Sequence, residues 1–145
     1  MYVHLPVFTL LEQEMILIVE DNEHERYALA ALLATFDYES KSVASAEDAL
    51  AVALDESFIA VLMDIALPGM SGVECTVELK NMPGFKAPII GLTGSDDEDI
   101  KTEGLKAGMV AYLVKPFNSE ELRKLLLRHV YDAKHPNLKT LKPIR

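Results

Sequence analysis

The chain has 145 residues, half of them apolar, and no repeat or low-complexity stretch, which fits one globular domain with a full hydrophobic core. Its 14 basic and 23 acidic residues leave a net charge of −9, whereas a phosphate-backbone binder needs a basic face, so nucleic acid is not an expected partner. The single cysteine, Cys75, excludes an internal disulfide, no apolar stretch approaches the roughly 20 residues of a membrane span, and no Lys or Arg precedes the short apolar patch near the start, so a cytoplasmic location is expected.

Residues 1–14, with Pro6 and the cluster Glu12-Gln13-Glu14, precede the regular pattern and read as an arm or linker. The apolar run 15–19 reads as a buried strand and ends in Glu20-Asp21. Leu29, Leu32, Leu33 and Phe36 then recur at i, i+3, i+4, i+7, one stripe of an amphipathic helix. A weaker strand is expected over 38–43. Ser45-Ala46-Glu47-Asp48 resembles a capping box, with Ala46, Ala49, Leu50, Ala53 and Leu54 as the inner face of the helix it opens.

The third strand, 59–63, runs into Asp64, and Pro68-Gly69 marks the turn beyond it. A short helix opens at Ser71-Gly72-Val73-Glu74 and should stop before Pro83-Gly84. Residues 88–93 form the fourth strand. The helix opened by Ser95-Asp96-Asp97-Glu98 is the poorest of the set, because its apolar positions reduce to Ile100, Leu105 and Ala107 and Gly104 interrupts it at a cost of about 1 kcal/mol relative to Ala. A fifth strand is expected over 110–114, and a last helix begins at Asn118-Ser119-Glu120-Glu121 with Leu122, Leu125, Leu126 and Val130 inward. Residues 132–145 read as a basic tail or linker. Five alternating βα units joined by short loops imply a parallel sheet with helices on both faces.

The chemistry gathers just past the strands: Glu20 and Asp21 after the first, Asp64 after the third, Thr93 after the fourth, Lys115 after the fifth. In a doubly wound sheet those loops share one edge, where such folds bind ligands. Three carboxylates packed together repel unless a divalent cation neutralises them, and oxygen-only ligands suit Mg²⁺ or Mn²⁺. Lys115 adds an ammonium and Thr93 a hydroxyl. Together they describe a receptacle for a phosphoryl group carried on a carboxylate.

Ile18-Val19-Glu20-Asp21-Asn22, Met63-Asp64-Ile65-Ala66-Leu67-Pro68-Gly69-Met70-Ser71-Gly72, Leu92-Thr93-Gly94 and Tyr112-Leu113-Val114-Lys115-Pro116-Phe117 resemble the receiver domain of two-component response regulators, over about residues 15–131. The resemblance implies a flavodoxin-like (βα)5 fold with strand order 2-1-3-4-5. It implies that Asp64 accepts phosphate from a phosphohistidine on a sensor histidine kinase or histidine phosphotransfer protein. Glu20, Asp21, Asp64 and the backbone carbonyl of Ala66 would hold Mg²⁺. Lys115 would pair with Asp64 and then with the phosphoryl oxygens, and a cis peptide is usual before the equivalent of Pro116. Thr93 and Tyr112 would move together, switching a face made by the fourth helix, fifth strand and fifth helix that could bind an effector or a second copy.

Glu20 stands where the family more often has Asp, and Ala66 and Ser95 occupy the positions that tune hydrolysis of the acyl phosphate. Ala66 cannot orient a water, so slow self-dephosphorylation is expected, and the domain is no conventional enzyme, although it could belong to a hybrid histidine kinase. A Mg²⁺-dependent phosphatase of the haloacid dehalogenase type would need a second Asp at Ala66. A flavin carrier would need a phosphate loop where Glu20-Asp21-Asn22-Glu23 stands, and a receiver kept only as a binding module would not need Asp64, Thr93 and Lys115 intact. Taken singly, other residues have plainer readings: His24 as a solvent-facing residue one turn into the first helix, Cys75 as a small helix residue, and Asp96-Asp97-Glu98-Asp99 as a solvated first turn favoured by the helix dipole.

Overall fold

A computed structural model describes residues 14–134 of the chain. Five βα units follow in order: β1 (Met15–Val19), α1 (Glu23–Thr35), β2 (Glu39–Val43), α2 (Ala46–Asp55), β3 (Ala60–Asp64), α3 (Gly72–Asn81), β4 (Ile89–Thr93), α4 (Glu98–Ala107), β5 (Ala111–Val114) and α5 (Ser119–Lys134). The strands form one parallel sheet of order β2-β1-β3-β4-β5. This is the doubly wound flavodoxin-like arrangement that the resemblance implies. The expected arm 1–14 lies outside the described residues except for Glu14. The expected tail lies outside them from 135 on, while α5 continues past 131 through Lys134.

Period-two alternation along the strands builds two cores. Ile16, Ile18, Leu62, Ile90, Leu92 and Leu113 point to one face, under Leu29 and Leu33 of α1 and Leu122, Leu126 and Val130 of α5. Leu17, Val19, Val61, Met63 and Ile89 point to the other, under Ala46 and Ala49 of α2 and Cys75 and Leu79 of α3. β1, β3 and β4 are therefore covered on both sides, which is why their sequences are continuous apolar runs rather than alternating ones.

The helix starts follow the local sequence. The Asn22 side chain caps α1 and that of Ser45 caps α2. Ser71 and Glu74 close a reciprocal capping box on α3, and Asn118 and Glu121 exchange the same pair of bonds at the head of α5. In α4 the cap is Asp97.

Two features of the helices differ from the sequence reading. Leu54 sits at the rim of the α2 stripe, in the last turn, and is exposed rather than on the inner face. In α4, Leu105 is exposed and Gly104 is buried. A Cβ at Gly104 would stand 2.9 Å from the Met109 sulfur, so this glycine admits a buried thioether between α4 and the sheet and is not merely a weak helix residue. The apolar contact that sequence periodicity sought within α4 is supplied from beyond its end.

Candidate functional site

Backbone pairing carries through the carboxyl ends of the strands and fixes the residues there. The Glu20 N–H donates to the Val43 carbonyl (3.1 Å), that of Ile65 to Leu92 (2.9 Å) and that of Lys115 to Thr93 (2.7 Å). Asp64 is the last residue of the fully buried β3. The loop after it is drawn tight by the Gly72 N–H donating to the Ile65 carbonyl (3.0 Å). A Cβ on Gly72 would lie 2.2 Å from the Asp64 carbonyl oxygen, so only glycine lets the first turn of α3 rest against the end of β3.

These constraints bring Glu20, Asp21, Asp64 and Lys115 together. One carboxylate oxygen from each of Glu20, Asp21 and Asp64 lies within 4.8 Å of the others. Glu20 and Asp64 are buried and Asp21 is exposed. Asp64 Oδ1 accepts from the Ala66 N–H at 3.0 Å, and Glu20 Oε2 accepts from the Asn22 N–H at 3.2 Å. The Lys115 ammonium lies 2.6 Å from Glu25 Oε1, 3.0 Å from Glu20 Oε1 and 3.7 Å from Asp64 Oδ2. The Lys115–Pro116 peptide is cis.

Thr93 ends β4, beside β3, and is buried; its hydroxyl contacts the backbone of Ser95, donating to the carbonyl (3.0 Å) and accepting from the N–H (3.1 Å). Tyr112, one strand further out, is half-buried with the Lys101 ammonium 5.3 Å from its ring centre. Lys101 is itself paired with Asp96 and Glu98. Ala66 is exposed and brings only a methyl group to the loop. His24 is exposed, as its place in the first turn suggested. Cys75 is buried among apolar groups with its thiol directed at the Ala46 carbonyl, and burial pushes the thiol up to about 12, so it is no nucleophile.

The electrostatics match a site that wants more positive charge. Burial raises the Glu20 carboxyl to about 7 despite the hydrogen bond from Lys115 that opposes it. Lys115 rises above the ordinary lysine range because its hydrogen bonds to Glu25 and Glu20 and the nearby Asp64 outweigh its desolvation. Glu25 falls, chiefly through its hydrogen bond to Lys115. Three carboxylates, Glu20, Glu25 and Asp64, thus share one lysine ammonium, with Asp21 beside two of them. The donors are hard oxygens at the edge of a rigid sheet, two of them buried, and this donor set fits a small divalent cation such as Mg²⁺.

A family model for the response regulator receiver domain matches residues 16–127. The chain belongs to the response regulator receiver domain family. This receiver is 36% identical to the protein PilH of Pseudomonas aeruginosa over 112 residues, which covers 77% of the chain and 93% of PilH. It is 35% identical to the transcriptional regulatory protein HprR of Escherichia coli over 107 residues, 74% of the chain and 47% of HprR, so the receiver spans about half the length of that regulator. Among solved structures it is similar to the receiver domain of the sensor histidine kinase PA1611 from Pseudomonas aeruginosa PAO1, at 35% identity and a TM-score of 0.75, covering 81% of this chain and 97% of that one; that structure holds a magnesium ion in the active-site cleft. Among the described residues no helix is long and apolar enough to cross a membrane.

Two residues of this site were not singled out from the sequence. Glu25 reads there as one more acid in a helix first turn, yet it reaches Lys115, ninety positions away in the chain. Arg26 reads as a solvated helix residue, yet its guanidinium donates to the carbonyls of Glu20 (2.8 Å) and Asp21 (3.0 Å) and fixes the loop that presents both acids. The one available signal was their position, in the first turn of the helix that follows Glu20-Asp21.

Proposed function

We propose that Asp64 is the phosphoacceptor of this receiver, that Glu20, Asp21 and Asp64, with the Ala66 carbonyl, hold Mg²⁺ (or Mn²⁺), and that Lys115 and Thr93 contact the transferred group. The observation that carries this reading is the meeting of three carboxylates from two strand ends with the Lys115 ammonium around the end of β3. A carboxylate oxygen of Asp64 attacks phosphorus, the P–N bond of a phosphohistidine breaks, and the imidazole nitrogen leaves with the electron pair and is protonated from solvent. Bound at the acids, the cation would supply positive charge to offset that of the transferred phosphoryl group. The chain's own groups do the rest. Lys115 neutralises charge from the opposite side, the Ala66 N–H steadies Asp64 through Oδ1, and Thr93 gives up its local bonds to Ser95 to donate its hydroxyl.

The donor is a sensor histidine kinase or a histidine phosphotransfer protein, and the signalling unit is residues 15–131 together with the last turn of α5 through Lys134, with 1–14 as an arm or linker and the remainder of 132–145 as a tail or linker. Output passes through the face of α4, β5 and α5 to an effector or a second copy; Leu105 and Val110 leave apolar surface exposed there, beside Tyr112 and Lys101. With only a methyl group at Ala66, the acyl phosphate lacks a side chain to orient water. It outlasts seconds in the absence of a phosphatase, and introducing Asn at that position shortens its life. The test is uptake from acetyl phosphate with Mg²⁺, followed by intact mass. Wild type gains one phosphoryl group, whereas D64N gains none and chelation of the metal stops uptake. Equal uptake by D64N overturns the assignment.

A further inference from the structure

Three helices of this chain begin with the same signature, a capping side chain followed three residues later by Glu: Asn22 and Glu25 on α1, Ser71 and Glu74 on α3, Asn118 and Glu121 on α5. In α3 and α5 the glutamate turns back and accepts from the N–H of the capping residue, at 2.9 Å and 3.0 Å. In α1 it does not. Asn22 still accepts from the Glu25 N–H (2.9 Å), but the Asn22 N–H donates to Glu20 Oε2 instead. The Glu25 carboxylate is released from capping and makes the shortest contact to the Lys115 ammonium, 2.6 Å, while Asp64 stands off at 3.7 Å. We propose that Glu25 is a positioning residue that anchors Lys115 on α1, so that the lysine comes fully to bear on the acceptor only when the phosphoryl oxygens draw it from Glu25.

This rests on the role given to Lys115 above and deepens it. An ammonium has three donors. With one on Glu25 and one on Glu20, Lys115 is held at the rim of the pocket, and a phosphoryl group arriving on Asp64 brings oxygens that compete for it. Glu25 is half-exposed, so the anchor is an ion pair open to water and weak enough to break. It sits beside an apolar cleft of about 500 Å³ lined by Leu29, Leu32, Pro116 and Phe117 together with both partners of the pair. The pair thus links α1 to the loop after β5, and its release removes that polar link.

The experiment compares initial rates of phosphoryl uptake from acetyl phosphate with saturating Mg²⁺ in wild type, E25Q and E25D, with melting temperatures measured alongside. E25Q removes the charge. E25D keeps the charge at the head of α1 but withdraws the carboxylate by one methylene from its 2.6 Å contact. Both variants are expected to fold, since the Asn22 cap remains, and both to take up phosphate faster, by about two- to fivefold, the span of one exposed ion pair. Wild-type or slower uptake in either variant overturns the proposal; acceleration in E25Q alone would mean that Glu25 acts only by repelling the anionic donor. The reading of Asp64 as acceptor fails separately, through loss of uptake in wild type or its persistence in D64N.

Discussion

At Glu20 burial and pairing pull the carboxyl in opposite directions, and burial prevails, raising it from an ordinary value near 4.5 to about 7. The folded, metal-free protein therefore holds the Glu20 proton more tightly than the unfolded chain. The stability this group contributes is fully present below about pH 4.5 and is lost as the pH rises through about 7. Glu25 acts in the opposite sense, but its lowered pKa confines that effect to pH below its ordinary 4.5. In chelator, the denaturant midpoint of wild type should decline relative to that of E20Q between pH 4.5 and 7.5, and Mg²⁺ should remove the decline. A flat difference across that window would contradict the environment described for Glu20. The acids, Thr93 and Lys115 could be located from the sequence because each sits directly after an apolar run that reads as a strand. Glu25 could not be distinguished, because an acid in a helix first turn has an ordinary local reason to be there and its partner is set by tertiary packing alone.

Among the elements, α3 and α4 show what a glycine can mean. Gly72 and Gly104 are both buried, but their missing Cβ atoms face different neighbours: backbone of Asp64 and Ile65 for Gly72, the flexible thioether of Met109 for Gly104. G72A should cost on the order of 3 kcal/mol, since backbone cannot move aside, and should also slow phosphoryl uptake by shifting the end of β3. G104A should lie within about 1 kcal/mol of wild type, because Met109 can turn away and Ala gains about 1 kcal/mol of helix propensity. Chemical denaturation of both variants checks the pair; equal losses would contradict it. β1, β3 and β4 were legible nearly to the residue, since each is a short, β-branched apolar run of strand length that ends in polar or turn residues. The inner faces of α2 and α4 were not, because Leu54 and Leu105 match the helical period yet lie where no neighbouring element among the described residues covers them. Periodicity reports which side of a helix is apolar, not how far the neighbouring element extends.

For the whole molecule, the order β2-β1-β3-β4-β5 follows from the alternation of strand and helix patterns together with the family motifs, and it brings residues from positions 20 to 115 to one edge. A molecule of net charge −9 that concentrates carboxylates at that edge should gain stability from a divalent cation. Mg²⁺ at about a hundred times its dissociation constant should stabilise the fold by about 2.7 kcal/mol. D21N should lose most of that gain while melting near wild type in chelator, because Asp21 is exposed. A melting temperature indifferent to Mg²⁺ would contradict the metal site.

The central claim is that one carboxylate, Asp64, carries the phosphoryl group, and mapping the acyl phosphate tests it most directly. After exposure to acetyl phosphate and Mg²⁺, borohydride reduction converts a phosphorylated aspartate into homoserine, which peptide mass spectrometry places in the sequence. Homoserine at position 64 and nowhere else is the predicted result. Modification at Asp21 or at Asp96, Asp97 or Asp99, or none at position 64 in protein shown to have taken up phosphate, would contradict it.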